Sequence, residues 1–178
     1  SLEPGRLSAV LWGEDWERLS LGEIDEAEYA ASIAARLGLP DALAGERLMA
    51  QVRAAGRLRP EVLAAVRRLR GRYRVALLTN ASAEQPARLR EQYGVDVAAE
   101  FDLYVNSAHV GLRKPDPAIY NLTAERLGIA LAEAVLVDDL VRNVDRARFI
   151  GMHAIQFVEP EESLGELWAC LGLAGEEV

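Results

Sequence analysis

Lysine is almost missing from this chain. Of its twenty basic residues nineteen are arginine, and the one lysine is Lys114. Cysteine is reduced to Cys170, which excludes an intrachain disulfide and makes a reducing cytoplasm the expected compartment. Positive charge is in deficit: 28 acidic against 20 basic residues leave a net charge of −8, so nucleic acid, whose phosphates need a basic surface, is not an expected partner. No apolar run approaches the ~20 residues of a membrane helix, and no charged-then-apolar secretion pattern opens the sequence. A 51% hydrophobic composition over 178 residues argues against disorder and is enough for a packed core.

The first stretch, to about Arg57, predicts helices without strands. Apolar residues recur at helical spacing over Glu14–Leu19 and Glu26–Leu37, with Asp25 as a cap and Gly22 and Gly38-Leu39-Pro40 as stops. From Arg59 the pattern alternates. Short apolar runs predict strands at Arg74–Thr79, Leu103–Asn106, Ala134–Asp138 and Ala154–Phe157. Helices are predicted between them, from Pro60 to about Arg70, Glu84–Tyr93, Asp116-Pro117 to Gly128, and Val141–Ile150. A last helix, Leu164–Leu171, precedes an acidic tail expected to fray. Alternating strands and helices mean an α/β fold with a parallel sheet covered on both faces. The expected domains are a helical cap over residues 1–57 and an α/β core over residues 58–178.

Parallel α/β sheets bind ligands beyond the carboxyl ends of their strands. The first predicted strand ends in Thr79-Asn80, the second leads into the loop carrying Lys114, and the third ends in Asp138-Asp139, so these groups are expected on one rim. Two adjacent carboxylates repel unless a cation lies near. Mg²⁺ suits them, since it takes one or two carboxylates together with waters and phosphate oxygens; helix capping is the competing role for one of the pair. Asn143, four residues after Asp139, is expected on its helical face as an orienting partner. Thr79 offers a hydroxyl and an N–H to a phosphate oxygen, or serves as an ordinary cap. Pro115 and Pro117 stiffen the Lys114 loop. His109 is expected in solvent in the loop before Lys114, His153 to be structural, and Trp12 with Trp16 to form a packed stripe.

Three stretches together resemble the haloacid dehalogenase superfamily: Leu77-Leu78-Thr79-Asn80, Val110-Gly111-Leu112-Arg113-Lys114-Pro115-Asp116-Pro117, and Val137-Asp138-Asp139 with Asn143 and Gly151. The branch is similar to the phosphatase domain of soluble epoxide hydrolase, and residues 1–57, including Leu21-Gly22-Glu23-Ile24, resemble its helical cap. The resemblance implies a Rossmann-like parallel sheet and a Mg²⁺-dependent phosphatase of small phosphorylated substrates acting through an aspartyl-phosphate. Thr79 and Lys114 would be catalytic, Asn80 would bind substrate, Asp138 and Asp139 would hold Mg²⁺, and Asn143 would support them. Metal-free dehalogenases of the superfamily carry serine and asparagine where Asp138-Asp139 stand.

The family nucleophile, the first aspartate of an Asp-x-Asp signature ending a central strand, has no match in the sequence. Ala9-Val10-Leu11-Trp12, followed by Gly13-Glu14-Asp15, is the one candidate run, and it lacks the signature and aligns better with a cap helix. A chain truncated inside the cap, without the central first strand and without phosphatase activity, is therefore expected. A non-catalytic binding or oligomerisation module is the alternative, and a homo-oligomer is compatible with either.

Overall fold

The computed structural model describes residues 4–174. The acidic tail expected to fray, with Glu176 and Glu177, lies outside them. In chain order the elements are helices α1 (Pro4–Leu11), α2 (Glu14–Ser20), α3 (Glu26–Leu37), α4 (Ala42–Ala54) and α5 (Pro60–Leu69), strand β1 (Ala76–Thr79), helices α6 (Gln85–Tyr93) and α7 (Val97–Glu100), and strand β2 (Leu103–Asn106). Then come helices α8 (Ser107–Val110) and α9 (Pro117–Leu127), strand β3 (Val135–Asp138), helix α10 (Val141–Phe149), strand β4 (His153–Gln156) and helix α11 (Pro160–Cys170). No helix among the described residues is long and apolar enough to cross a membrane.

The four expected strands are present, in two pairs: β1 beside β2, and β3 parallel to β4 with Val135 opposite His153 and Asp138 opposite Gln156. The central strand has no counterpart among the described residues. Ala9, Val10 and Leu11 belong to α1, with Leu11 buried against the α3 side chains Tyr29 and Ile33.

The chain divides into two compact units, one made of Ser1–Leu58, Leu78–Val97 and Val105–Arg113, the other of Arg59–Leu77, Ala98–Tyr104 and Lys114–Val178. In the first, α3 starts with a capping box: Asp25 accepts from the Glu28 N–H at 2.8 Å, and Glu28 accepts from the Asp25 N–H at 3.0 Å. Such a cap contributes about 1 kcal/mol. Its buried face, Tyr29, Ala30, Ile33 and Leu37, follows the helical period and packs with Leu19, Ile24 and Met49. Helix α4 can lie against α3 because Gly45 carries no side chain; a Cβ there would overlap the Ala30 carbonyl oxygen.

In the second unit, Leu69, Ile155, Leu167 and Leu173 form the core, with Val75, Val135 and Val137 packed against it. Helix α9 is bounded as its sequence dictates. Asp116 accepts from the Ala118 N–H at 2.8 Å, Pro117 fills the first turn, and Gly128 ends the helix at φ 65°. Helix α11 begins at Pro160, four residues before the expected start, by the same first-turn use of proline.

Candidate functional site

Strand β3 delivers Asp138 to its carboxyl end, in the second unit, and the chain then bends through Asp139 before α10 begins at Val141. Asp138 is buried and its two oxygens are both engaged. Lys114 Nζ donates to Oδ2 at 2.5 Å, while Asn143 Nδ2 and the Leu140 N–H donate to Oδ1 at 2.8 and 2.9 Å. Lys114 is 8% exposed and Asp138 6%, so this is a buried ion pair. Removing both charges from water costs several kcal/mol per ion, which close contact and the added hydrogen bonds must offset. Asp139, by contrast, is exposed.

Asn143 reaches Asp138 rather than Asp139, the carboxylate expected from its spacing. Counting four residues along a helical face presumes that residue 139 is helical, and it is not. Asn143 is 2% exposed and its Oδ1 has no hydrogen-bond partner among the described residues, leaving a buried acceptor beside the ion pair. Tyr120, fully buried, donates its hydroxyl to the Asn143 carbonyl at 3.1 Å. Burial first, and the Asp138 charge second, push the Tyr120 phenol above its ordinary value, so it stays a donor at neutral pH.

Thr79 and Asn80 belong to the first unit. Gln85 Nε2 donates to Thr79 Oγ1 at 3.3 Å. The turn after Asn80 is held by two buried residues outside the set expected from the sequence. Ser107 Oγ accepts from the Ala81 N–H at 3.0 Å, and Asn106 donates to the Ser82 carbonyl at 2.9 Å. The available signal was a polar Asn-Ser pair closing an apolar strand. His109 lies in the short helix α8, not in a loop, exposed and 3.1 Å from the Ala83 carbonyl oxygen. His153, expected to be structural, is exposed at the first position of β4.

Also within the first unit is a cavity of about 260 Å³. Trp12 and Trp16 pack edge to face at 5.0 Å, the expected stripe, and both line this cavity as well. Glu26 lines it too. It accepts from Ser82 at 2.6 Å and from Arg53 at 3.3 Å, and it is also bound by Arg88. Burial alone would raise the Glu26 carboxyl; the Ser82 hydroxyl and the two guanidinium groups outweigh it and hold the carboxyl below its ordinary value. A carboxyl lowered in the folded state lends stability above its unfolded value, and that stability fades as pH falls through the lowered one. Glu26→Gln is therefore expected to lower the urea midpoint at neutral pH, with the difference from the parent chain shrinking below the ordinary carboxyl value of 4.5. A pH-independent difference would contradict this.

A model of the haloacid dehalogenase-like hydrolases matches residues 10–151. A sesquiterpene phosphatase of Aspergillus oryzae is 30% identical over 171 residues, covering 93% of this chain and 84% of that protein. The mouse bifunctional epoxide hydrolase 2 is 28% identical over 147 residues, covering 81% of this chain; the match spans only 26% of that protein's length. Among solved structures, a haloacid-dehalogenase-family enzyme of Bacteroides thetaiotaomicron, a mutant in complex with magnesium and inorganic phosphate, superposes with a TM-score of 0.74 at 19% identity over 94% of this chain and 92% of that one. That likeness establishes the shared fold.

Proposed function

Because the chain belongs to the haloacid dehalogenase-like hydrolases, we propose that its site serves Mg²⁺-dependent hydrolysis of small phosphate monoesters by way of an aspartyl-phosphate. The observation that carries this reading is the unequal division of labour within the acidic pair. Asp138 is committed to Lys114, Asn143 and the Leu140 N–H, whereas Asp139 is exposed beside it. The phosphatase among the relatives supports the same reading.

The donors present suit magnesium in kind. They are carboxylate oxygens, and the ion accepts as few as one or two of them, completing its shell with water and phosphate oxygens. Asp139 would be the principal ligand. Asp138, with three of about four lone-pair positions used, would contribute at most one more. No group of three or more His, Cys, Asp or Glu residues able to hold a metal occurs among the described residues. Magnesium, when bound, supplies positive charge to the phosphoryl oxygens.

The protein's own residues then have separate tasks. Lys114 presents a point charge whose direction Asp138 fixes, and no reorganisation is needed when phosphoryl charge arrives. Thr79 donates its hydroxyl to a phosphoryl oxygen, with Gln85 holding the side chain. Asn80 binds substrate. Asn143 keeps Asp138 oriented.

Phosphoryl transfer to aspartate needs an Asp-x-Asp pair, and none occurs in these 178 residues. Turnover of p-nitrophenyl phosphate by this chain with Mg²⁺ is accordingly expected to match the protein-free rate. Turnover that Asp139→Ala abolishes would overturn that expectation. Binding is expected to persist. In a calorimetric titration of Mg²⁺ with inorganic phosphate present, Asn143→Ala should weaken the metal about 10–100-fold, and Asp139→Ala at least as much. Unchanged Mg²⁺ affinity in Asp139→Ala would remove the metal assignment.

A further inference from the structure

Two helices of the second unit carry opposite charge on one surface. Helix α5 and the turn after it, Arg59 to Arg74, hold six arginines against one acid, Glu61. Helix α11 with the residue before it, Glu159 to Cys170, holds four glutamates and no base. Their contacts set the two helices side by side and pointing the same way. Arg59 lies over the Phe157 ring at 5.3 Å, Arg68 lies over the Trp168 ring at 4.6 Å, and the Tyr73 hydroxyl donates to the Leu171 carbonyl at 3.3 Å. Leu69 and Leu167 share the core beneath them. A basic strip thus runs beside an acidic one.

The acidic strip is not compensated within the chain. Glu159, Glu161, Glu162 and Glu166 are exposed and take part in no ion pair among the described residues. The dipole of α11 accounts for Glu161 and Glu162 in its first turn, but not for Glu166. On the basic strip Arg67 and Arg70 meet Glu100 and Asp102. Arg59 is exposed, and the Phe157 ring takes up the face of its guanidinium rather than its N–H edge.

We propose that this surface joins two copies of the chain, α5 of each lying against α11 of the other. Two parallel strips of opposite sign are complementary to themselves when a twofold axis runs along the groove between them. Each basic position then faces an acidic one, and the contact is made twice. The charge balance of the whole chain favours the same occupant. Outside Arg59–Arg74 it carries 27 acids and 14 bases, so a second copy is mostly negative elsewhere and is steered to this segment. Trp168, half-buried, and Tyr73, exposed, lie along the groove with Arg68. These are the residue types that carry most of the energy at protein interfaces.

Sedimentation equilibrium of the 178-residue chain tests the proposal. A reversible dimer is expected in 0.1 M salt, weakening at least about tenfold in 1 M salt, as the Debye length falls from about 10 Å to about 3 Å. Glu162→Arg with Glu166→Arg should weaken it by about tenfold or more, since basic then faces basic. Arg59→Glu with Arg72→Glu should do the same with acid against acid. Mixing the two double variants in equal amounts should restore association to within about threefold of the parent, because each reversed strip meets the other. Circular dichroism checks that each variant folds; if one does not, the salt dependence of the parent chain and the single variant Glu166→Arg decide. A parent chain monomeric throughout the micromolar range would overturn the proposal. So would a dimer indifferent to salt or to both double variants, or a mixture that fails to associate. A monomer that binds poly-L-glutamate would give the basic strip an acidic partner of another kind, and would overturn it equally.

Discussion

Lys114→Met is expected to cost about 3–5 kcal/mol of stability, the usual penalty for removing one partner of a buried ion pair. The reason is the group left behind. Asp138 is 6% exposed and holds a full charge, and its two remaining donors, Asn143 Nδ2 and the Leu140 N–H, are neutral. A chain of this length loses roughly 2–4 °C in Tm per kcal/mol, so a fall of roughly 6–20 °C should be seen in thermal unfolding. The double variant Lys114→Met, Asp138→Asn should recover at least half the loss, because the amide oxygen still accepts from Leu140 and Asn143 while no charge is stranded. Lys114→Arg should not rescue. A planar guanidinium is wider than an ammonium, and a site 8% exposed with a 2.5 Å contact leaves it no room. That geometry gives a physical reason for the lone lysine among nineteen arginines. A Lys114→Met chain within about 1 kcal/mol of the parent would refute this account of the pair.

Much of this was legible because its signals are local. Asp25 with Glu28, Asp116-Pro117 with Gly128, and Val-Leu-Val before Asp138 each act within one or two turns of chain. Lys114, Asp138 and Asn143 each have a sequence reason to be near a strand end, and Asp138 receives both of the others. The choice between Asp138 and Asp139 as the partner of Asn143 was not legible, because it turns on the two-residue bend before α10. Helix α4, inside the predicted helical stretch, could not be delimited either, since Gly45 reads locally as an interruption and is tolerated only because another helix lies against it. The cavity was out of reach for the same reason. Glu26 and Arg88 are 62 residues apart, and no periodicity in either helix announces the other.

Gly45→Val is expected to be the most damaging single change in the helical unit. The added Cβ would collide with the Ala30 carbonyl oxygen and come within 3.1 Å of the Ala34 Cβ. Neither is the flexible end of a side chain. Relief requires α4 to move as a body away from α3, against the packing of Met49 on Tyr29 and Ile33. Overpacking costs about 1–3 kcal/mol, and the rigid obstacle places this case at the upper end, near a fall of roughly 6–12 °C in Tm. Moving α4 also moves Met49 and Val52, which are cavity walls. Gly45→Ala meets the same carbonyl with its one added carbon and should retain a large share of the loss in Tm. Neutral behaviour of Gly45→Ala in thermal unfolding would mean that α3 and α4 do not approach as closely as the structure has them.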